Sequence, residues 1–170
     1  MALTVLTGVV VCAFAVWLWA TADSTVIIVV RHAEKVMDVG GDPPLSEAGE
    51  ARAALLARMF GDARLVGRID AIYVSPAQRN RLTAAPLAAR LGLTPVVAPA
   101  NDPGGLARRV LREHPGGRIL VVAHSDTVPA IVAALSGAKD VPPIAALEYG
   151  TMYFVTVPRL GHANYLRLNY

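Results

Sequence analysis

Three short apolar runs, each ending in charged or titratable side chains, constrain this chain more than any other feature. Val26-Ile27-Ile28-Val29-Val30 ends in Arg31-His32, and Ile119-Leu120-Val121-Val122-Ala123 ends in His124-Ser125-Asp126. Ala71-Ile72-Tyr73-Val74 leads into Ser75-Pro76 and Arg79. Runs that are apolar throughout, with no polar alternation, read as strands buried on both faces. A cation and an imidazole at the tip of such a strand are costly to bury without a partner, so they should face a cleft or an anion.

The segments between these runs read as helices. Ser46 is placed to cap a helix whose first turn carries Glu47 and Glu50, acidic groups that suit a helix N-terminus. Ala51, Ala54, Leu55 and Met59 are expected to form its apolar face, with Gly61 at its end. Pro76 opens a second helix carrying Leu82, Ala85, Leu87, Ala88 and Leu91, which Pro86 should kink or divide. Thr94–Ala98 reads as a short strand. A third helix follows Asn101-Asp102-Pro103 and ends at Pro115-Gly116-Gly117. A fourth follows His124, capped by Ser125 or Asp126. Thr151–Val157 and Tyr165–Leu168 read as a terminal hairpin, and Asp38–Leu45 as a loop.

Strands alternating with helices imply an α/β fold, a three-layer αβα sandwich with a mostly parallel central sheet. Ligands of such sheets bind beyond the carboxyl ends of the strands. That rule alone gathers Arg31, His32, Ser75, Arg79, His124 and Asp126 on one edge.

The N-terminus differs from the rest. Leu3 to Ala20 carries no charge and no proline, and in a helix it would extend about 27 Å. Residues 1–22 therefore read as a signal peptide or an N-terminal membrane anchor, with Ala20-Thr21-Ala22 as the cleavage-site pattern before Asp23. Export, to the periplasm or beyond the cytoplasm, is the expected location. A buried N-terminal helix of a cytoplasmic protein is the alternative. Residues 23–170, about 148 residues, suit one domain. The one cysteine, Cys12, lies in the apolar segment, so neither an intrachain disulfide nor a multi-cysteine zinc site is available. The net charge of +3 is too mild and dispersed for a nucleic-acid partner. It would instead suit a small anion if several arginines converge.

Two arginines and two histidines around one cavity match a tetrahedral dianion. Guanidinium forks bind phosphate oxygens and keep their charge at any working pH. A histidine free at one nitrogen can attack phosphorus, while the other donates to a phosphate oxygen and a carboxylic acid protonates the leaving alcohol. Arginines this close argue against a metal centre built on His32, His124 and a carboxylate.

These segments resemble the histidine phosphatase superfamily, the phosphoglycerate mutase-like proteins, and within it the small phosphatases. Val30–Lys35 resembles the Arg-His-Gly-Glu signature, with Ala33 in place of glycine. Pro44–Gly49 resembles a Pro-Leu-Thr-x-x-Gly segment. Ser75–Arg79 with Thr83-Ala84 resembles Ser-Pro-x-x-Arg-x-x-x-Thr-Ala, and Val122–Ser125 resembles the second-histidine motif. The resemblance covers residues 25 to 136 in the family's order. It implies a phosphoglycerate mutase-like fold and a phosphomonoester hydrolase that needs no cofactor or metal. His32 would be the phosphorylated nucleophile, with Arg31, Arg79 and His124 completing the phosphate pocket. Asp102 is the first candidate for the general acid and Asp126 the alternative. Glu34 would orient its neighbours. Glu148 and Tyr149 would line the rim if the chain returns there. His114 and His162 read as solvated loop residues.

The expected partner is a phosphorylated small molecule, a lipid-linked phosphate or a phosphoprotein, with membrane association possible through residues 3–20. A phosphoglycerate mutase-type phosphotransferase and a non-catalytic envelope phosphate-binding module are the alternatives. The short loops favour water as the phosphoryl acceptor over a mutase reaction.

Overall fold

The computed structural model describes residues 2–22, 24–37, 40–62 and 67–170. Asp23, Asp38 and Val39, which the sequence placed after the cleavage pattern and in a loop, lie outside the described residues. The described elements are α1 (Ala2–Ala22), β1 (Thr25–Arg31), α2 (Glu47–Gly61), β2 (Ala71–Val74), α3 (Gln78–Leu91), β3 (Val96–Val97), α4 (Pro103–Glu113), β4 (Arg118–Ala123), α5 (Thr127–Ser136), β5 (Thr151–Val157) and β6 (Asn164–Asn169).

The strands form one six-stranded sheet in the order β3-β2-β4-β1-β5-β6. Strands β3, β2, β4 and β1 are parallel neighbours, and the β5–β6 hairpin adds to β1 antiparallel. Side chains alternate between the faces, as strand geometry requires. Ile28, Val30, Ile72 and Leu120 pack beneath α2 and α3. Ile27, Val29, Ile119 and Val121 pack beneath α4 and α5. Apolar cover on both faces explains why β1 and β4 show no polar alternation.

The connectivity also locates the cleft. From β1 the chain leaves through α2 to β2 and β3, then returns to insert β4 between β2 and β1. The order therefore reverses at β1/β4, which opens a crevice beyond the carboxyl ends of those two strands.

Some local expectations are corrected. The buried face of α2 is Gly49, Ala53, Leu56, Ala57 and Phe60, while Ala51 and Met59 are exposed. Apolar residues surround this helix, so two faces compete, and burial of the large Phe60 ring selects between them. Pro86 neither ends nor divides α3, which runs unbroken from Gln78 to Leu91. Leu82 and Pro86 both face solvent, so water can satisfy the Leu82 carbonyl that lacks an N–H partner. Ser46 does cap α2, accepting from the Gly49 N–H at 3.2 Å.

The N-terminal residues form the continuous helix α1. Val10, Val11, Phe14, Val16, Trp17 and Trp19 on it are exposed. Among the described residues no helix is long and apolar enough to cross a membrane.

Candidate active site

The pairing of β1 with β4 sets Arg31 beside Ala123, and the His32 N–H continues the ladder by donating to the Ala123 carbonyl at 2.9 Å. This register brings the two histidines together. Their ring centroids lie 5.4 Å apart, edge to face. His32 is only 4% exposed. Its Nδ1 is 2.8 Å from the Ala33 carbonyl oxygen. A carbonyl can only accept, so Nδ1 carries the proton and Nε2 keeps its lone pair. Burial pushes the His32 pKa down to about 4, although the Ala33 carbonyl opposes this; Arg79, Arg31 and His124 lower it further.

His124 is oriented at both nitrogens. Nε2 lies 2.9 Å from Ser75 Oγ, and Nδ1 lies 3.4 Å from an Arg79 guanidinium nitrogen. Arginine only donates, so Nδ1 accepts and Nε2–H donates to Ser75. Burial, then Arg79, lower the His124 pKa below the ordinary histidine value. The chemistry read from the sequence has this second histidine donating to a phosphate oxygen. Burial beside a guanidinium works against the added charge, and the Arg79 contact to Nδ1 matches the neutral ring.

Arg79 sits in the first turn of α3. Its guanidinium pairs with Asp42 at 3.3 Å, and Asp42 also accepts from the Gln78 N–H at 2.7 Å. Arg31 donates through one nitrogen to the Ala145 and Glu148 carbonyls, both at 3.0 Å. Its guanidinium lies 4.0 Å from the centre of the Tyr149 ring. Among the described residues, the Nε–H groups of Arg31 and Arg79 are both buried without a partner. Two unpartnered guanidinium donors beside an unprotonated imidazole suit an anion whose oxygens would complete them.

The supporting residues are equally specific. The Ala33 N–H donates to Thr83 Oγ1 at 3.0 Å, and Thr83 donates in turn to the Arg79 carbonyl at 2.7 Å. The Ala33 methyl group, present where the resembled family has glycine, is fully buried with Leu45 and Ala53. Glu34 turns away from the histidines. It takes three short bonds from Arg52, which also reaches the Tyr170 carbonyl at 2.7 Å. Burial alone would raise the Glu34 pKa, but the Arg52 bonds outweigh it and hold the carboxyl below its usual range.

The two acid candidates are separated by the fold. Asp102 caps α4, accepting from the Gly105 N–H at 2.7 Å. It lines a cavity of about 330 Å³ with Ala98, Pro99 and three arginines of α4, and none of Arg31, His32, Arg79 or His124 borders that cavity. Asp126 occupies the cap position of α5 but makes no capping bond. The Thr127 hydroxyl accepts from the His124 N–H at 3.0 Å, tying the second histidine to the start of the helix. The Asp126 charge raises the proton affinity of His124. Among the described residues no group of three His, Cys, Asp or Glu side chains could hold a metal ion.

Sequence reasoning missed Asp42, which looked like one polar residue among loop glycines and prolines. It also missed the contact of His114, which stands half-exposed just past the end of α4 and lies 3.0 Å from the Tyr73 hydroxyl. The chain does return over the site at Glu148 and Tyr149, with the Tyr149 ring centre 6.0 Å from that of His32.

The buried neutral imidazoles carry a consequence for stability. Unfolded histidine titrates near 6.5, and His32 in the folded chain near 4. Between those values the unfolded chain binds more protons, so stability falls as pH falls through this window. The His32 contribution to that loss, from pH 7 to pH 5, is about 2 kcal/mol. Denaturant midpoints measured across this range should drop toward acid, and His32→Asn should flatten the slope. An unchanged slope would contradict the buried neutral state.

A family model described as "Histidine phosphatase superfamily (branch 1)" matches residues 27–100. No curated protein matches the chain. Among solved structures, the protein histidine phosphatase SixA complexed with tungstate superposes with a TM-score of 0.68 at 22% identity, covering 85% of this chain and 96% of that one. A mycobacterial glucosyl-3-phosphoglycerate phosphatase superposes with a TM-score of 0.66 at 16% identity, covering 86% and 98%. Both share the α/β fold described above.

Proposed function

We propose that this chain, which belongs to the histidine phosphatase superfamily, hydrolyses phosphomonoesters through a phosphohistidine formed on His32. The observation that carries this reading is the state of His32: Nδ1 is tied to the Ala33 carbonyl, and its low pKa keeps Nε2 unprotonated. Nε2 attacks phosphorus, and the P–N bond forms as the bond to the ester oxygen breaks. Arg31 and Arg79 hold the phosphoryl oxygens and offset the charge that builds on them. As the dianion draws Arg79 toward itself, His124 Nδ1 takes up a proton from solvent and donates it to a phosphoryl oxygen, so its lone pair is not available for attack. The leaving oxygen departs as an alcohol once a carboxylic acid supplies its proton. Water then attacks phosphorus, giving a proton back to the carboxylate as the P–N bond breaks, and inorganic phosphate leaves with the acid restored and Nε2 unprotonated again. A phosphatase of the same fold was solved with tungstate, a tetrahedral oxyanion of the shape this pocket would hold.

For the acid this reading favours Asp126 over Asp102, since the Asp102 carboxylate is occupied as a helix cap. Poor leaving groups need that proton most. Asp126→Asn should therefore slow alkyl phosphates about 100-fold while changing activated aryl phosphates far less. Asp102→Ala should cost about 1 kcal/mol of stability through the lost cap and leave both rates near wild type. The opposite pattern in a kinetic comparison would reassign the acid.

The deciding experiment is rapid acid or base quenching with phosphorus-labelled substrate. An acid-labile, base-stable label should appear on the chain and be absent from His32→Ala. Tight phosphate binding without label would mark a binding module instead, and label passed to a sugar-acid acceptor in preference to water would mark a mutase.

A further inference from the structure

We propose that Glu148 is a positioning residue for Arg31, acting through the turn of chain that crosses the site from Ala145 to Tyr149. The inference rests on Arg31 being a phosphate clamp, as read above. What points Arg31 at the site is neither a carboxylate nor its own strand. One guanidinium nitrogen is held by the Ala145 and Glu148 carbonyls, each at 3.0 Å, and the plane is stacked on Tyr149. With that nitrogen occupied, the buried Nε–H has no partner among the described residues. Because the guanidinium is rigid and planar, anchoring one corner sets the direction of the remaining donors.

Those two carbonyls can hold Arg31 only if their turn keeps its shape, and the Glu148 side chain is what braces it. Its carboxylate accepts from the Ala145 N–H at 3.2 Å, closing the turn on itself. It also accepts from the Thr151 hydroxyl at the start of β5 and from Arg167 of β6 at 2.5 Å. The Glu148 N–H donates back to the Ala145 carbonyl at 3.0 Å. These bonds, that of Thr151 foremost, hold the Glu148 carboxyl far below its ordinary range, at about 2. It therefore stays ionised at neutral and mildly acidic pH. The terminal hairpin, which contributes none of the reacting groups, is thereby connected to the phosphate pocket through Arg167, Glu148 and the turn. Presenting donors in the orientation a ligand needs lowers the cost of binding it.

The test measures inhibition by inorganic phosphate, turnover of an aryl phosphate, and thermal midpoints. The chains compared are wild type, Glu148→Ala, Arg31→Ala and the double variant. Glu148→Ala should weaken phosphate inhibition about tenfold and raise KM with it, and Glu148→Gln, which keeps the acceptor oxygen, should recover most of the loss. In the Arg31→Ala background, Glu148→Ala should add less than about a twofold change, because the group it orients is gone. Arg167→Met, which removes one bond of the brace, should show the same non-additivity and serves if Glu148→Ala does not fold. Effects of Glu148 and Arg31 that multiply, or phosphate inhibition unchanged in Glu148→Ala, would overturn the inference while leaving the pocket intact. Phosphate inhibition unchanged in Arg31→Ala would overturn the pocket reading itself, and this inference with it.

Discussion

His32→Ala is expected to lower turnover of a phosphomonoester by about 10⁴-fold to 10⁶-fold, the scale seen when a covalent nucleophile is removed. Loss of one pocket arginine should cost less, about 10²-fold to 10³-fold. The pocket field is shared by Arg31, Arg79 and His124, so deleting one leaves the others. The lone pair on His32 Nε2 has no substitute nearby, since His124 has Nε2 engaged by Ser75 and Nδ1 by Arg79. The substitution should not unfold the chain. Burying the imidazole depresses its pKa to about 4, so the wild-type residue is held at some cost to stability below pH 6.5. Steady-state rates beside circular dichroism of both chains check the prediction. A folded His32→Ala chain within tenfold of wild-type turnover would remove His32 from the chemistry.

The second large effect is structural. Gly49→Ala should destabilise the chain by about 2–3 kcal/mol, a drop in Tm of roughly 5–10 °C. Gly49 lies in the first turn of α2, and a Cβ there would stand 2.1 Å from the Glu34 carbonyl oxygen and 3.0 Å from its carbon. Both are backbone atoms, which cannot rotate aside as a side chain could. That carbonyl also accepts from the Ser46 N–H at 2.9 Å, so the loop after His32 is seated on the helix start. Forcing them apart would shift the backbone next to Ala33, whose carbonyl sets the His32 tautomer. Activity should fall with stability, even at temperatures where the variant is fully folded. A Gly49→Ala chain with wild-type Tm would show that this contact relaxes without strain.

The site was legible in part for a physical reason. A continuous apolar run ending abruptly in Arg31-His32 or His124 states both the burial of the strand and the position of its end. Sheet rules then carry the ends to one edge. The acid was not legible, because Asp102 and Asp126 each stand at a helix start. There the same residue type serves as a cap or as a free acid, and only the cap bond to Gly105 distinguishes them. The α2 face was misread for a similar reason. Its alanines and leucines satisfy two helical stripes, and the choice depends on what the sheet presents to them. Pro86 was overread: its cost depends on whether water reaches the Leu82 carbonyl, which is a property of the packed helix.

The sequence alone determined the layered α/β architecture and placed Arg31, His32, Arg79 and His124 at the ends of buried strands or just beyond them, on one edge. These follow from local pattern: hydrophobic periodicity, and charges that burial would penalise unless they were used. Tertiary structure alone decided the tautomers of the two histidines, the carboxylates that face or avoid them, and the turn that aims Arg31. Those depend on which carbonyl, hydroxyl or ring lies within hydrogen-bonding distance. Partners separated by 114 and 117 residues, as Arg31 is from the Ala145 and Glu148 carbonyls, leave no mark in local pattern until the chain has folded them together.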